Sequence, residues 1–370
     1  MKILHINSYF STSRFYKHFF DNQIDQNVDI DAFVPVSKSF ETEMDFGEYT
    51  SVSRCYNSFD RYSYFLKQYK ILKAVQSSYH INSYDVIHAH SLFTNGYIAY
   101  KLSRKYNIPY IVAVRNTDVN RFFKKMYHLR GIGIEILKNA QKVIFLSEPY
   151  KQLIINNYVP KHLKKLFLQK SHVIPNGIDD FWFHNRPINL KNIGSDVINL
   201  LYVGDINENK NLLTTVNAIK LLNRIGMEAK YTIVGKVRDK SIFNKLVKEP
   251  FVEYVQPIPK EKLISVYRKN DIFVMPSIRE TFGLVYAEAM SQGIPVIYSR
   301  GQGFDGQFED GKVGYSVDSK NEKEIANKIS IIKKNYINFS ENCVNNVSRF
   351  SWKTISKMYI NLYYSVLRKK

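Results

Sequence analysis

The chain has 370 residues, 45% hydrophobic and 14% aromatic, with 53 Lys and Arg against 33 Asp and Glu for a net charge of +20. That composition supplies two globular domains with a core each and excludes a disordered or low-complexity polymer. Its two cysteines, Cys55 and Cys343, lie far apart without metal-ligand spacing, which excludes a disulfide framework and a zinc finger.

From the start, strand-like runs at residues 2–7, 31–36, 85–90, 110–114 and 142–147 alternate with helical patterns at 14–26, 62–77, 96–106 and 131–139. Such alternation predicts a parallel, doubly wound α/β sheet. The opening MKILHINSYF has an apolar run too short for a signal peptide, and no stretch of about 18 apolar residues occurs. The expectation is a cytoplasmic chain. VIPNGID at 173–179 closes this half with a Pro and an Asn-Gly turn signal, and residues 185–196, polar and broken by Pro187 and Gly194, read as a linker. The alternation then restarts, with strands at 200–203, 231–234 and 252–255 and helices at 212–224, 242–247 and 260–269. Residues 1–184 therefore form one Rossmann-like domain, 197–350 a second, and 351–370 a terminal helix with an aromatic face of Trp352, Tyr359, Tyr363 and Tyr364.

Charge is unevenly placed, because residues 61–170 alone carry +15. Tyr62, Tyr64, Phe65, Tyr69, Phe122 and Phe123 interleave that stretch. Such a field attracts a nucleic acid, an anionic lipid or a phosphorylated substrate, and a merely lysine-rich solvated surface is the plain alternative. No nucleic-acid motif accompanies it, so no nucleic acid is expected as partner. An anionic membrane surface is, with the chain peripheral on its inner face.

Residues 271–299, DIFVMPSIRETFGLVYAEAMSQGIPVIYS, are the most informative. Strand 272–275 is broken by Pro276 and Ser277, helix 284–292 is stopped by Gly293 and Pro295, and 294–298 is the next strand. A βαβ unit of this kind places loop 278–283 at the carboxyl end of a parallel sheet, where open α/β sheets bind ligands. The N–H groups of Phe282, Gly283 and Leu284 suit a phosphate. Glu280 and Glu288 would repel one, unless the ligand also carries neutral diols that a carboxylate can accept from. A nucleotide sugar has both features. Taken alone, Glu280 is equally a helix-flanking acid and Glu288 an exposed helix residue.

Tyr267, Asp271, Pro276, Ser277, Glu280, Phe282-Gly283-Leu284, Glu288-Ala289 and Gly293-Ile294-Pro295-Val296 together resemble the C-terminal signature of the retaining glycosyltransferases of family four, which have the GT-B fold. VIPNGID resembles that family's segment before the interdomain linker. The resemblance implies two Rossmann-like domains facing a central cleft, with the terminal helix crossing back onto the first. It places Glu280 at the donor sugar and Glu288 at the donor ribose. Gly204 and Lys210 resemble the family's phosphate-binding glycine and lysine, but Asp205 stands where arginine is usual. Arg279 or Arg300 would then supply the missing charge.

In the first domain, His90 and Arg115-Asn116-Thr117-Asp118 end strands. The family often has His-Gly or His-Asp where Arg115-Asn116 stand, so a catalytic role falls to Arg115, Asp118 or His90, or to none. Asn7-Ser8-Tyr9-Phe10-Ser11 replaces the glycine-rich first loop of many relatives, and the glycines of 301–306 are a weak signal for a phosphate loop. Asp29-Ile30-Asp31 sits at the entrance to a strand and is not read as a metal motif. No Cys, His or Asp cluster argues for another metal, so neither metal nor cofactor is expected.

The expected function is a retaining hexosyltransferase that moves a hexose from a nucleoside-diphosphate sugar, a UDP-sugar, to a saccharide or lipid-linked acceptor in polysaccharide or glycolipid assembly. An epimerase or phosphorylase of the same fold is the alternative among enzymes. A basic nucleic-acid-binding protein is the alternative outside them.

Overall fold

The computed structural model describes residues 1–13, 15–193 and 197–368. Arg14, where the first helix is expected to begin, the linker residues 194–196 and the last two residues of the expected terminal helix lie outside them. Contacts divide the chain into two units, one of residues 1–146, 150–175 and 352 onward, the other of 147–149 and 176–351.

In the first unit, β1 (Lys2–Ile6), β2 (Asp29–Ser37), β3 (Thr50–Tyr56), β4 (Val86–Ala89), β5 (Tyr110–Val114), β6 (Lys142–Phe145) and β7 (Ser171–Val173) form a parallel sheet in the order β3-β2-β1-β4-β5-β6-β7. Because side chains alternate along a strand, Ile3, Val86 and Ile111 bury on one face and Leu4, Ile87 and Val112 on the other. Helices Phe15–Ile24 and Trp352–Leu367 cover the first face, while Tyr64–Ser78, Thr94–Tyr106 and Arg130–Asn139 cover the second. The terminal helix does so with Trp352, Ile355, Tyr359 and Tyr363.

The second unit has β8 (Ile198–Val203), β9 (Ala229–Val234), β10 (Val252–Val255), β11 (Ile272–Met275), β12 (Val296–Ser299) and β13 (Gly314–Val317), again parallel, in the order β10-β9-β8-β11-β12-β13. In both sheets the order reverses beside the first strand, between β1 and β4 and between β8 and β11. Ligands of open α/β sheets bind at that switch point, outside the carboxyl ends.

Three strands at sheet edges, β3, β7 and β13, fall outside the runs read from the sequence. Thr50–Tyr56 (TSVSRCY) buries no residue fully, so it lacks the apolar run that marks a strand. GYSV at 314–317 is only four residues long. Helices Glu148–Asn157, Glu322–Lys334 and Tyr336–Asn346 are likewise additional to the helical patterns. Residues 176–184, expected to close the first domain, group with the second unit. There the Ile178 N–H donates to Phe350 O at 2.9 Å, and Trp182 packs edge-on against Tyr267 with centroids 5.4 Å apart.

Trp352 is 2% exposed and stacks on Phe15 at 5.5 Å. Trp352→Ala should cost about 3–5 kcal/mol and lower the urea midpoint accordingly. Met358→Ala, on the exposed side of the same helix, should shift it by less than about 0.5 kcal/mol.

Candidate functional site

At the switch point of the second sheet, the segment after β8 meets the segment after β11. Asn207 caps a single turn, Glu208–Lys210, by accepting from the Lys210 N–H at 3.3 Å. That turn carries Lys210 to the Glu280 carboxylate, with Nζ 2.6 Å from Oε2. The other oxygen, Oε1, accepts from the Thr281 N–H at 3.0 Å. Both side chains are largely buried, which raises the worth of the pair above that of a surface bridge.

Backbone clamps hold this loop on two sides. Asn209 takes the Ile278 N–H on its carbonyl at 2.8 Å and the Arg279 N–H on its side chain at 3.1 Å, and donates to Arg279 O at 2.8 Å. On the far side, the Glu280 N–H donates to Gln302 Oε1 at 2.9 Å and the Gly303 N–H to Glu280 O at 2.8 Å. A Cβ on Gly303 would lie 1.8 Å from Thr281 O, so only glycine fits. The run at 301–306, read as a weak phosphate-loop signal, thus braces Glu280. Asn209 and Gln302 escape sequence reading because nothing in a sequence marks an amide that clamps a distant backbone.

Gly283 has φ +76, and a Cβ there would come within 2.5 Å of the Tyr286 ring. Its turn starts helix Leu284–Ser291, whose first N–H groups have no intrahelical acceptor. Phe282 itself is core, packed on Phe350 at 5.5 Å. Further along the helix, Glu288 accepts from Tyr267 Oη at 3.3 Å, beside the ion pair of Asp179 with Lys260. Burial pushes its carboxyl up to about 7, against the Tyr267 hydrogen bond that favours the ionised form. Asp179 and Lys260 reach this corner from segments that no sequence spacing joins to it.

Asp205, the departure from the family pattern, is paired with Arg238 at 2.9 Å. β8 and β9 are neighbours, so the turn after β9 returns an arginine to the place where the sequence lacks one. The signal was the parallel adjacency of the two strand ends. Gly204 lies at the same end, its N–H on Val234 O at 2.9 Å. Arg300 is likewise paired, with Glu324 at 2.5 Å and with Ser316 O. Arg279 is exposed.

The three first-domain candidates are buried and tied within their own unit. Asp118, 1% exposed, accepts from the N–H groups of Leu92 at 2.9 Å, Phe93 at 3.1 Å and Arg115 at 2.8 Å. Burial raises its carboxyl to about 6 in spite of these donors. Its geometry is that of a brace between two loops, not of a group offered to a reacting atom. Arg115 donates to His90 O at 3.1 Å. His90 Nε2 lies 3.0 Å from His5 Nδ1, and His88 Nδ1 2.8 Å from Tyr363 Oη.

His5, His88 and His90 thus form a cluster whose ligand nitrogens lie within 4.8 Å of one another, which corrects the reading that no such cluster exists. The parallel register pairs His5 with His88, and the two-residue step puts His90 on the same face. Burial holds all three imidazoles below their ordinary value, His5 at about 3.

Two families match the chain. The one described as glycosyl transferases group 1 covers residues 188–350, and Glycosyltransferase Family 4 covers residues 13–180. A D-inositol 3-phosphate glycosyltransferase of Corynebacterium kroppenstedtii is 35% identical over 124 residues, 33% of this chain and 28% of its own length. That match therefore spans less than a third of the relative. The structure of sucrose-phosphate synthase from Thermosynechococcus elongatus superposes with a TM-score of 0.77 at 19% identity, over 100% of both chains. Anabaena HepE in complex with UDP-glucose gives 0.66 at 16% identity, over 99% of this chain and 100% of that one. These likenesses show the fold, two Rossmann-like α/β units of GT-B type.

The histidine cluster makes acid stability testable. Each imidazole is neutral when folded and titrates near 6.5 when unfolded, so below that value the unfolded chain binds more protons and stability falls with pH. Asp118 and Glu288, with raised values, act in the opposite sense, so the informative quantity is a comparison. Between pH 7 and 5, His88→Gln should lose about 2 kcal/mol less than the wild type, measured by urea unfolding.

Proposed function

The chain belongs to the family 4, group 1 glycosyltransferases, and from that premise we propose that it moves a hexose from a UDP-sugar to an acceptor hydroxyl with retention at the anomeric carbon. The observation that carries this reading is the Lys210–Glu280 pair, held at 2.6 Å beside a helix start at the switch point of the second sheet. Donor binding exchanges the pair for two new contacts, Lys210 with the diphosphate and Glu280 with hydroxyls of the sugar. Arg238 and the free donors of the helix start share the phosphate charge, and Glu288 accepts from the ribose diol. The UDP-glucose bound to the HepE neighbour supports a uridine donor.

The transfer breaks the bond from C1 to the phosphate oxygen and forms one from C1 to the acceptor oxygen on the same face. The acceptor proton passes to the departing diphosphate. With Asp118, Arg115 and His90 tied up in the first unit, catalysis rests on positioning and on stabilising the leaving group's charge, and needs no divalent ion.

We also propose a peripheral membrane setting in polysaccharide or glycolipid assembly. Phe59, Tyr62, Phe65 and Tyr69, from 56% to 85% exposed, lie on the first unit at and just before the start of the positively charged stretch 61–170. Aromatic side chains with lysines suit an anionic lipid surface. No helix among the described residues is long and apolar enough to cross a membrane. Replacing Phe59, Tyr62, Phe65 and Tyr69 with serine should abolish sedimentation with anionic vesicles, and equal sedimentation of the wild type with neutral and anionic vesicles would refute the proposal.

The two glutamates separate in kinetics. Glu280→Gln removes charge beside a ring that turns positive in the transition state, so kcat should fall roughly ten- to hundredfold with KM little changed. Glu288→Gln should instead raise donor KM and keep kcat. Because Glu288 titrates near 7, donor affinity should rise from pH 6 to 8 in the wild type and stay flat in Glu288→Gln. Steady-state assays in EDTA with the folded variants check all three expectations.

A further inference from the structure

A cavity of about 330 Å³ opens in the first unit, and none of the candidate catalytic side chains lines it. Its walls come from the segments after β1 and β5, the end of β3, the start of helix Thr94–Tyr106 and helix Tyr64–Ser78. It sits at the carboxyl ends of the strands, where the order reverses between β1 and β4. The site resembles that of the second unit in position but differs in chemistry.

Three features specify what it takes. The apolar wall is aromatic, formed by Tyr9, Tyr56, Tyr64 and Phe122, and rings of this kind stack against the flat C–H face of a pyranose. The charged side chains on the lining are both cations, Lys67 and Arg121, with no carboxylate among them. Lys67 is poised 4.2 Å over the Tyr56 ring, and the Arg121 guanidinium is exposed without an ion pair among the described residues. Finally, Gln68 lines the cavity while 0% exposed, and neither its carbonyl oxygen nor its NH2 has a hydrogen-bond partner. A buried amide with both ends open suits vicinal hydroxyls, since it can accept from one and donate to the next.

The walls are also held in place. Asp118 ties the loop after β4 to the loop after β5 through three N–H groups, and Tyr64 Oη donates to Phe93 O at 2.7 Å. The Asp118–Phe123 turn that carries Arg121 and Phe122 has π-helical geometry, which is frequent at functional sites. Asp118 is thereby a positioning residue for this cavity.

We infer that the acceptor is a sugar phosphate, with the pyranose against the aromatic wall, its hydroxyls on Gln68 and the phosphate between Lys67 and Arg121. The shared chemistry is a hexose with an anionic phosphate ester, whether free in solution or esterified to a lipid. This rests on the proposed transferase reading, in which the donor is held by the second unit and the first is left for the acceptor.

Calorimetric titration of the full chain tests it, using glucose, galactose and mannose, their 1- and 6-phosphates, a prenyl ester of each 1-phosphate in neutral detergent, and inorganic phosphate. At least one hexose phosphate should bind tenfold or more tightly than the matching hexose, and more tightly than inorganic phosphate. Binding of the free ester identifies a soluble acceptor, and binding of the prenyl ester alone a lipid-linked one. Lys67→Met with Arg121→Gln should erase the preference for phosphate while neutral hexose binding is kept. Gln68→Leu should weaken both and raise the melting temperature, because it removes an unpartnered buried amide. Equal binding of hexose and hexose phosphate, binding of neither, or an unchanged preference in the double variant would overturn the inference. UDP-glucose is titrated alongside. If it binds and the hexose phosphates do not, the sugar-phosphate assignment falls while the transferase reading stands, and the converse result separates them the other way.

Discussion

Parallel pairing is the constraint on which this structure depends. When every strand of a sheet runs the same way, all the carboxyl ends arrive at one edge, and each chain exit must turn there before it can climb into a helix. Those exits carry polar and charged residues next to the buried strands: Asn7 to Tyr9, His90 to Asn95, Arg115 to Asp118, Gly204 to Lys210 and Pro276 to Gly283. The interiors of the central strands, by contrast, are closed to solvent on both faces and are rich in Ile, Val, Leu and Phe. Chemistry and scaffold are therefore separated along the chain at intervals of a few residues.

The exits are kept in place by polar atoms facing inward. Asp118 spends its carboxylate on three backbone N–H groups, Asn209 serves two residues of a neighbouring loop, and Gln302 holds the amide of Glu280. Each is an example of a buried or half-buried side chain that completes another segment's hydrogen bonds, which the backbone of an irregular loop requires. The side chains left over for a ligand are Lys210, Glu280 and Arg238 in turns of one unit with Glu288 on helix Leu284–Ser291, and Arg121 in the other with Lys67 and Gln68 on helix Tyr64–Ser78.

The alternation of strand and helix patterns made the doubly wound class legible, and the 271–299 stretch made the loop of Glu280 legible, because apolar period and turn residues are local properties. The edge strand β3 was not, since Thr50–Tyr56 has the polarity of a loop and acquires its conformation from β2. Nor was the boundary near residue 175, where VIPNGID looks like the end of one half yet its Ile178 bonds to Phe350, far along the chain. In the site, Glu280, Glu288 and Lys210 were visible as types at a spacing, but Arg238, Asn209 and Gln302 reach it only through strand adjacency and loop closure. His90, Arg115 and Asp118 were visible as polar residues at strand ends, but not their burial, the bracing by Arg115 and Asp118, or the cluster of His90 with His5 and His88.

Trp352, Ile355, Tyr359 and Tyr363 belong to the core of the first unit although the whole second unit precedes them along the chain. A chain emerging from a ribosome therefore presents β1 to β7 with one face of the sheet, the face of His5 and His88, partly uncovered until residues 352–367 have followed. The second unit, contiguous from 176 to 351 apart from a three-residue piece, has no such wait. The usual vectorial order, in which the amino-terminal domain matures first, is inverted here. The exposed face must be tolerated, or shielded by a chaperone, for the time taken to add the roughly 200 residues from the end of β7 to the end of helix Trp352–Leu367 at about 5–20 residues per second.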